Sequence, residues 1–293
     1  GTVRVEGNGA FGTPVLTVGS GFTNLGLIEL TSTGGFGAAL QVNNGALTNG
    51  AGGVIRSSVI SGGVGQRQII APVTNLGTID AQEALFFANG GRTLASAGGT
   101  IALSAGRVLT VQDGTVELGA ATLTGTGTLS LTGTVALQLP QALALSAGGA
   151  QLALNGNVSV TGAGSLTVAG GATLELANDT VGVPLTVEGT ARVLGNTTIS
   201  GALSVAAGGT VRVEGNGAFG TPVLTVGSGF TNLGLIELTS TSGFGAALAL
   251  NSGALTNGAG GVIRSSVISG GVGQRQIVAP VTNLGTIDVD RKS

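Results

Sequence analysis

Gly1-Thr-Val-Arg-Val-Glu-Gly-Asn-Gly-Ala-Phe-Gly-Thr-Pro14 opens the chain, and the same fourteen residues return at Gly209. The match continues at a constant offset of 208 as far as Asp288, with no insertion or deletion. Only five of the 80 aligned positions differ: Gly34/Ser242, Gln41/Ala249, Val42/Leu250, Asn44/Ser252 and Ile70/Val278. So long a repeat argues for an architecture that grows in one dimension rather than around one globular core. Residues 1–208 read as one full unit and 209–288 as the start of the next, continuous with the first. Residues 289–293 read as a charged tail added in cloning. The chain has no initiator methionine or signal peptide and reads as a window cut from a tandem array.

Inside the repeated stretch, Thr2-Val-Arg-Val-Glu6 places its valines on one face and Thr, Arg and Glu on the other. The same alternation appears in Thr100-Ile-Ala-Leu-Ser104, Thr115-Val-Glu-Leu118, Thr173-Leu-Glu-Leu176 and Ala202-Leu-Ser-Val205. Period two over four to six residues is the mark of a half-buried strand. Gly, Asn, Asp or Ser punctuate the gaps. The best helical candidate, Ala81-Gln-Glu-Ala-Leu-Phe-Phe87, is short and fits a strand equally well.

Spacing separates a solenoid from a sandwich or barrel. Alternating strands start at Thr100, Thr115, Thr134, Gln151, Thr173, Thr190 and Thr210, a mean step of about 18 residues, close to one solenoid coil. A second marker recurs in Phe22-Thr-Asn24, Leu47-Thr-Asn49 and Val73-Thr-Asn75, with the asparagines 25 and 26 residues apart. Each marker is followed by Gly and an apolar pair, as in Gly26-Leu-Ile-Glu29, Gly53-Val-Ile-Arg56 and Gly77-Thr-Ile-Asp80. Such recurrence predicts an all-β chain, a parallel β-helix (β-solenoid) forming an elongated rod. At roughly 20 residues per coil the chain makes about 14 coils. If the markers label successive coils, Ile28, Ile55 and Ile79 form an inward ladder. Glu29, Arg56 and Asp80 then stack outward as minus, plus, minus, and Glu237, Arg264 and Asp288 repeat the order. Opposite charges on neighbouring strands attract and fix register.

The phrases Phe22-Thr-Asn-Leu-Gly-Leu-Ile28, Leu47-Thr-Asn-Gly50 and Val73-Thr-Asn-Leu-Gly-Thr-Ile-Asp80, with the Gly-Gly-Thr-Val and Gly-Gly-Ala-Thr-Leu strand starts, resemble coils of bacterial surface β-solenoids. That group includes the filamentous-haemagglutinin-like adhesins and autotransporter passenger domains. The resemblance implies a right-handed parallel β-helix exported to the bacterial cell surface or beyond, serving as stalk, adhesin or matrix component. It brings no functional residue with it. The glycine content and the near-identical long repeat suit a spacer better than a receptor-specific tip.

Composition narrows the chemistry. The chain has 293 residues, 57 of them glycine, with 42% hydrophobic and 8% charged residues. That balance excludes disorder, and the glycines lack the period of collagen. Cys, His, Met, Trp and Tyr are absent, which removes disulfides and thiolate or imidazole metal sites. Ten scattered arginines and the single Lys292 form no basic cluster, so no nucleic-acid partner is expected. No apolar run is long enough to span a membrane as a helix.

The specific motifs reduce to architecture. Gly7-Asn-Gly-Ala-Phe-Gly12 fits the dinucleotide pattern, and Gly215–Gly220 repeats it, but a strand, Thr13-Pro-Val-Leu-Thr-Val18, follows where a helix is required. Gly62-Gly-Val-Gly-Gln-Arg67 begins like a calcium nonapeptide and puts Arg where Asp is needed. Paired carboxylates and a base are not found, so the chain is expected to be no enzyme, with no metal and no cofactor. The hydroxyl run Thr122, Thr124, Thr126, Thr128, Ser130, Thr132, Thr134 suggests an ice-binding face as a minor alternative, although such a face stacks threonines in successive coils. The sequons at Asn157, Asn178 and Asn196 read as turn asparagines.

The expected function is a structural repeat, a rod or spacer of a long tandem-repeat surface or extracellular protein. Its expected partners are further copies of the same repeat, end to end. The alternative is an adhesin module for a surface glycan or a partner cell, which exposed Phe side chains would favour. Phe11, Phe22, Phe36, Phe86 and Phe87 are the candidates, most of them expected to plug wide coils or cover an end.

Overall fold

The structure is a computed structural model that describes residues 1–62, 65–270 and 273–289. The described residues contain no helix. They form short parallel strands stacked as a β-solenoid of about 12 turns. They divide into two compact units, Gly1–Leu143 with Gly148–Gln151, and Ala144–Ala147 with Leu152–Ser293. The tail from Asp290 and the pair Gly63-Val64 of the calcium-like motif lie outside the described residues.

In the first unit each coil has three faces. The first face stacks Thr2–Gly7, Leu27–Ser32, Val54–Ser57, Thr78–Ala81, Thr100–Leu103 and Thr122–Gly125 in that order. The second runs from Val15–Val18 through Ala38–Val42, Arg67–Ile70 and Leu85–Ala88. The third runs from Phe22–Asn24 through Leu47–Asn49, Val73–Asn75 and Thr93–Ala95. Val108–Glu117 and Thr128–Gln138 are long strands that serve the second and third faces together. Val3, Ile28, Ile55, Ile79, Ile101 and Leu123 are level in successive coils, and Ile28, Ile55, Ile79 and Ile101 are fully buried. Burying one such aliphatic side chain contributes about 1.5–3 kcal/mol.

The second unit repeats the plan. One face runs from Gln151–Thr161 through Thr173–Ala177, Thr190–Val193, Thr210–Gly215, Leu235–Ser240 and Val262–Ser265 to Thr286–Val289. A second stacks Thr180–Val181, Thr197–Ile199, Val223–Val226, Ala246–Leu250 and Arg275–Val278. A third stacks Leu166–Val168, Leu185–Val187, Leu203–Val205, Phe230–Asn232, Leu255–Asn257 and Val281–Asn283.

Coil length differs from the expected value. Ile28 to Ile55 is one coil of 27 residues and Ile79 to Ile101 one of 22, whereas Leu174 to Ala191 takes only 17. Thr115 and Thr134 therefore do not start coils. Thr115 is level with Thr93 and Ala136, in the later part of coils already begun. The strand Val108–Glu117 turns a corner there without ending. Asp113 and Gly114 take left-handed φ values of 61° and 76°, and the register shifts between Gln112 and Gly114. A side chain at Gly114 would collide with the Asn89 carbonyl, so glycine is required for that close approach. The helical candidate 81–87 holds no helix: Ala81 ends one strand, a bend follows, and Leu85–Ala88 is a strand paired to both neighbouring coils.

Candidate functional site

Two polar ladders dominate the described residues, one inside and one outside. Inside, Asn24, Asn49 and Asn75 occupy the same place at the end of the third face. Asn24 Nδ2 donates to Asn49 Oδ1 at 2.8 Å, and Asn49 Nδ2 to Asn75 Oδ1 at 2.8 Å. Asn75 Nδ2 donates to Ser96 Oγ at 3.1 Å. Each Nδ2 also reaches the backbone carbonyl of Val54, Thr78 or Thr100 in the next coil. All three side chains are buried, and their mutual bonds satisfy amides that would otherwise be costly to bury. The second unit repeats the ladder through Asn232, Asn257 and Asn283.

Outside, the first unit places Arg4, Glu29, Arg56 and Asp80 level in successive coils. Their bonds close in pairs: Arg4 Nε to Glu29 Oε2 at 2.8 Å and Arg56 Nε to Asp80 Oδ2 at 2.9 Å. Glu29 is more enclosed than an outward position suggests, and the Ser58 hydroxyl donates to its Oε1 at 2.9 Å. In the second unit the column is longer: Glu175, Arg192, Arg212, Glu237, Arg264 and Asp288 are level. Arg212 pairs with Glu237 and Arg264 with Asp288. The like charges of Arg192 and Arg212 adjoin, and Arg192 turns away to bridge Glu175 and the buried Glu214. Its two bonds to Glu214 are 3.1 and 2.8 Å. That contact, more than Glu175, raises the Arg192 pKa.

Three corners hold further polar groups. Arg67 points into the interior, 1% exposed, level with Ala38 and Leu85. Its Nε donates to the Ser58 carbonyl at 3.0 Å and its Nη1 to the Gly65 carbonyl, so it ties the corner from within. Burial pushes its pKa down. Asp179 is 3% exposed and accepts from the backbone N–H of Val158 at 3.0 Å and of Ala177. Burial outweighs these bonds and raises its pKa to about 7. The glycine motif at Gly7–Gly12 is a closed corner: Asn8 and Gly12 exchange backbone bonds, and Asn8 Oδ1 accepts from the N–H of Ala10 and Phe11. A strand, Val15–Val18, follows.

The phenylalanines divide. Phe87 and Phe230 are buried, Phe22 and Phe86 partly so. Phe11 is 83% exposed, and Phe36, Phe219 and Phe244 also face solvent at corners. The threonine run 122–134 is shared between two strands, Thr122–Gly125 and Thr128–Gln138. Outward hydroxyls do stack elsewhere: Thr167, Thr186 and Ser204 are level, as are Thr231, Thr256 and Thr282. A surface groove of about 430 Å³ along Gly208–Thr210 and Leu233–Leu235 offers one ionic group, Arg264, already paired with Asp288.

No protein-family model matches the chain, and no curated protein does. Among solved structures, the crystal structure of a TibC-catalysed hyper-glycosylated TibA fragment, residues 55–350 of that protein, is similar. The two are 16% identical over 98% of this chain and 100% of the other, with a TM-score of 0.36. No residue role is transferred from it.

Proposed function

We infer that the chain is a structural repeat, a spacer within a long tandem-repeat protein displayed at a bacterial surface or outside the cell. One observation carries this reading. The buried asparagines and most arginines are engaged with neighbouring coils, asparagine to asparagine and arginine to carboxylate, and the ladder sets recur at an offset of 208 residues. Enzymes instead converge such groups on a cleft. The test is to add one 208-residue unit between an export signal and a reporter domain. A spacer leaves export and the reporter's binding unchanged, and the chain alone shows no saturable binding on a glycan array. Saturable binding by the chain alone would sink the spacer reading.

A second reading, an adhesin module for glycan or a partner cell, is favoured by the corner phenylalanines Phe11, Phe36, Phe219 and Phe244. Exposed aromatic side chains are the usual anchors of binding surfaces. It requires array binding that disappears when these four are changed to serine.

A further inference from the structure

The triplets Asn157-Val-Ser159, Asn178-Asp-Thr180 and Asn196-Thr-Thr198 stand 21 and 18 residues apart in the sequence. In the second unit they come together. Ser159 is level with Thr180, and Thr180 with Thr198, in successive parallel strands. The three triplets therefore form one column, with neighbours about 4.8 Å apart. Each middle residue, Val158, Asp179 or Thr197, is buried, and each asparagine is exposed. Ser159 and Thr180 are exposed and Thr198 is partly so, so each asparagine and the hydroxyl two residues later are open to solvent, Asn157 within a strand and Asn178 and Asn196 just before one.

Asn178 and Asn196 each use only the oxygen end of the amide. Asn178 Oδ1 accepts from the backbone N–H of Asn196 at 3.1 Å, and Asn196 Oδ1 from that of Val223 at 3.0 Å. Among the described residues, no Nδ2 of the three donates to another protein atom. The interior asparagines differ, because Asn24, Asn49 and Asn75 spend their Nδ2 groups on the ladder. Exposed Asn44 differs too: its Nδ2 donates to the Gly19 carbonyl, and no hydroxyl follows two residues on.

We propose that Asn157, Asn178 and Asn196 form an N-glycan acceptor column, served by a transferase that uses a sugar carried as a 1-diphosphate. An Asn-x-Ser/Thr triplet is the sequence such transferases read, and here its two reading groups face solvent. In the transfer, Nδ2 attacks the sugar C1. The N–C1 bond forms as the bond from C1 to the diphosphate oxygen breaks, the diphosphate leaves with the electron pair, and Nδ2 gives up one proton. Nothing is oxidised or reduced. The Oδ1 atoms remain carbonyl oxygens, so the corner bonds survive the modification. The column lies outside the stretch that occurs twice in this chain.

The test has two arms. In one, the purified chain meets a soluble asparagine glycosyltransferase and a nucleotide-activated hexose. In the other, the chain is co-expressed with a membrane oligosaccharyltransferase and a lipid-linked glycan. A sequon peptide serves as the positive control in each. Site-resolved mass spectrometry should find sugar on Asn157, Asn178 and Asn196 in at least one arm, and the arm that succeeds identifies the donor. Thr180→Ala should remove the sugar from Asn178 alone, and Thr198→Ala from Asn196 alone. Both leave the asparagine bonds in place, and circular dichroism checks the fold. The proposal is overturned by an unmodified chain in both arms while the peptide is modified. It is equally overturned if sugar survives these variants or falls only on asparagines outside the column.

Discussion

Asp179 shows how one buried carboxylate sets a pH dependence. Its ordinary pKa of 3.8 rises to about 7 in the fold, chiefly because burial penalises the charge. Between these values the folded chain keeps a proton that the unfolded chain has released. The contribution of Asp179 to stability is therefore largest at acid pH and falls as pH rises from about 4 to 7, by at most about 1.4 kcal/mol per unit. Asp179→Asn should flatten that slope. It also turns an amide donor toward the Ala177 N–H, at about 1–3 kcal/mol. Urea midpoints at pH 4.5 and 7.5 decide the matter: equal slopes for both proteins would exclude Asp179 as the source. Asn49 makes the opposite kind of case, being neutral and bonded on both sides. Asn49→Ala leaves Asn75 Oδ1 without a donor in the interior, while Asn24 Nδ2 keeps the Val54 carbonyl, and the expected loss is about 1–3 kcal/mol in the same assay.

At the scale of the strand, two arginines of one column should behave differently. Arg264 and Asp288 are both about half exposed, so Arg264→Ala should cost under about 1 kcal/mol. Arg192→Ala leaves the buried Glu214 without its partner and should cost about 3 kcal/mol or more. Near-equal losses in denaturant titrations would mean that Glu214 finds another donor. The same column shows what a sequence can and cannot supply. The Thr-Asn phrases are enough to line up Glu29, Arg56 and Asp80, because a marker precedes each strand. No Thr-Asn phrase precedes Arg192, whose coil has Val187 where other coils have asparagine, so the extension to Glu175, Arg192 and Arg212 rests only on the strand starts Thr173, Thr190 and Thr210, each two residues before its charge. Thr115 misleads for the reverse reason. It follows a glycine and begins an alternation, yet the strand has merely bent at Asp113-Gly114. The inward turn of Arg67 and the burial of Asp179 leave no pattern at all, since both depend on the shape of one corner.

At the scale of the molecule, the parallel stack predicts where protection against hydrogen exchange should change with pH. In a repeat architecture each coil leans mainly on its neighbours, so a local penalty stays local. Moving from pH 5 to pH 8, with intrinsic exchange rates corrected, should lower protection over residues 156–198, around Asp179. Residues 22–80, which hold the first asparagine ladder, should keep theirs. A uniform loss along the chain would show that the coils open together instead.

The five positions that distinguish the two copies have a consequence for inheritance. Gln41/Ala249, Asn44/Ser252 and Ile70/Val278 change outward or corner side chains, and Val42/Leu250 exchanges one aliphatic residue for another. At Gly34/Ser242 the left-handed φ of Gly34 is not taken by Ser242. None is a ladder asparagine, a ladder isoleucine or a paired charge, and coil lengths match in both copies. A recombination crossover between aligned points of two copies would therefore join coils whose ladders already agree. Such a gene can gain or lose whole units by unequal exchange without inventing a junction that must fold anew. A chain lengthened by one unit in this way should keep the parent's urea midpoint, and a lower midpoint would show that the seam matters.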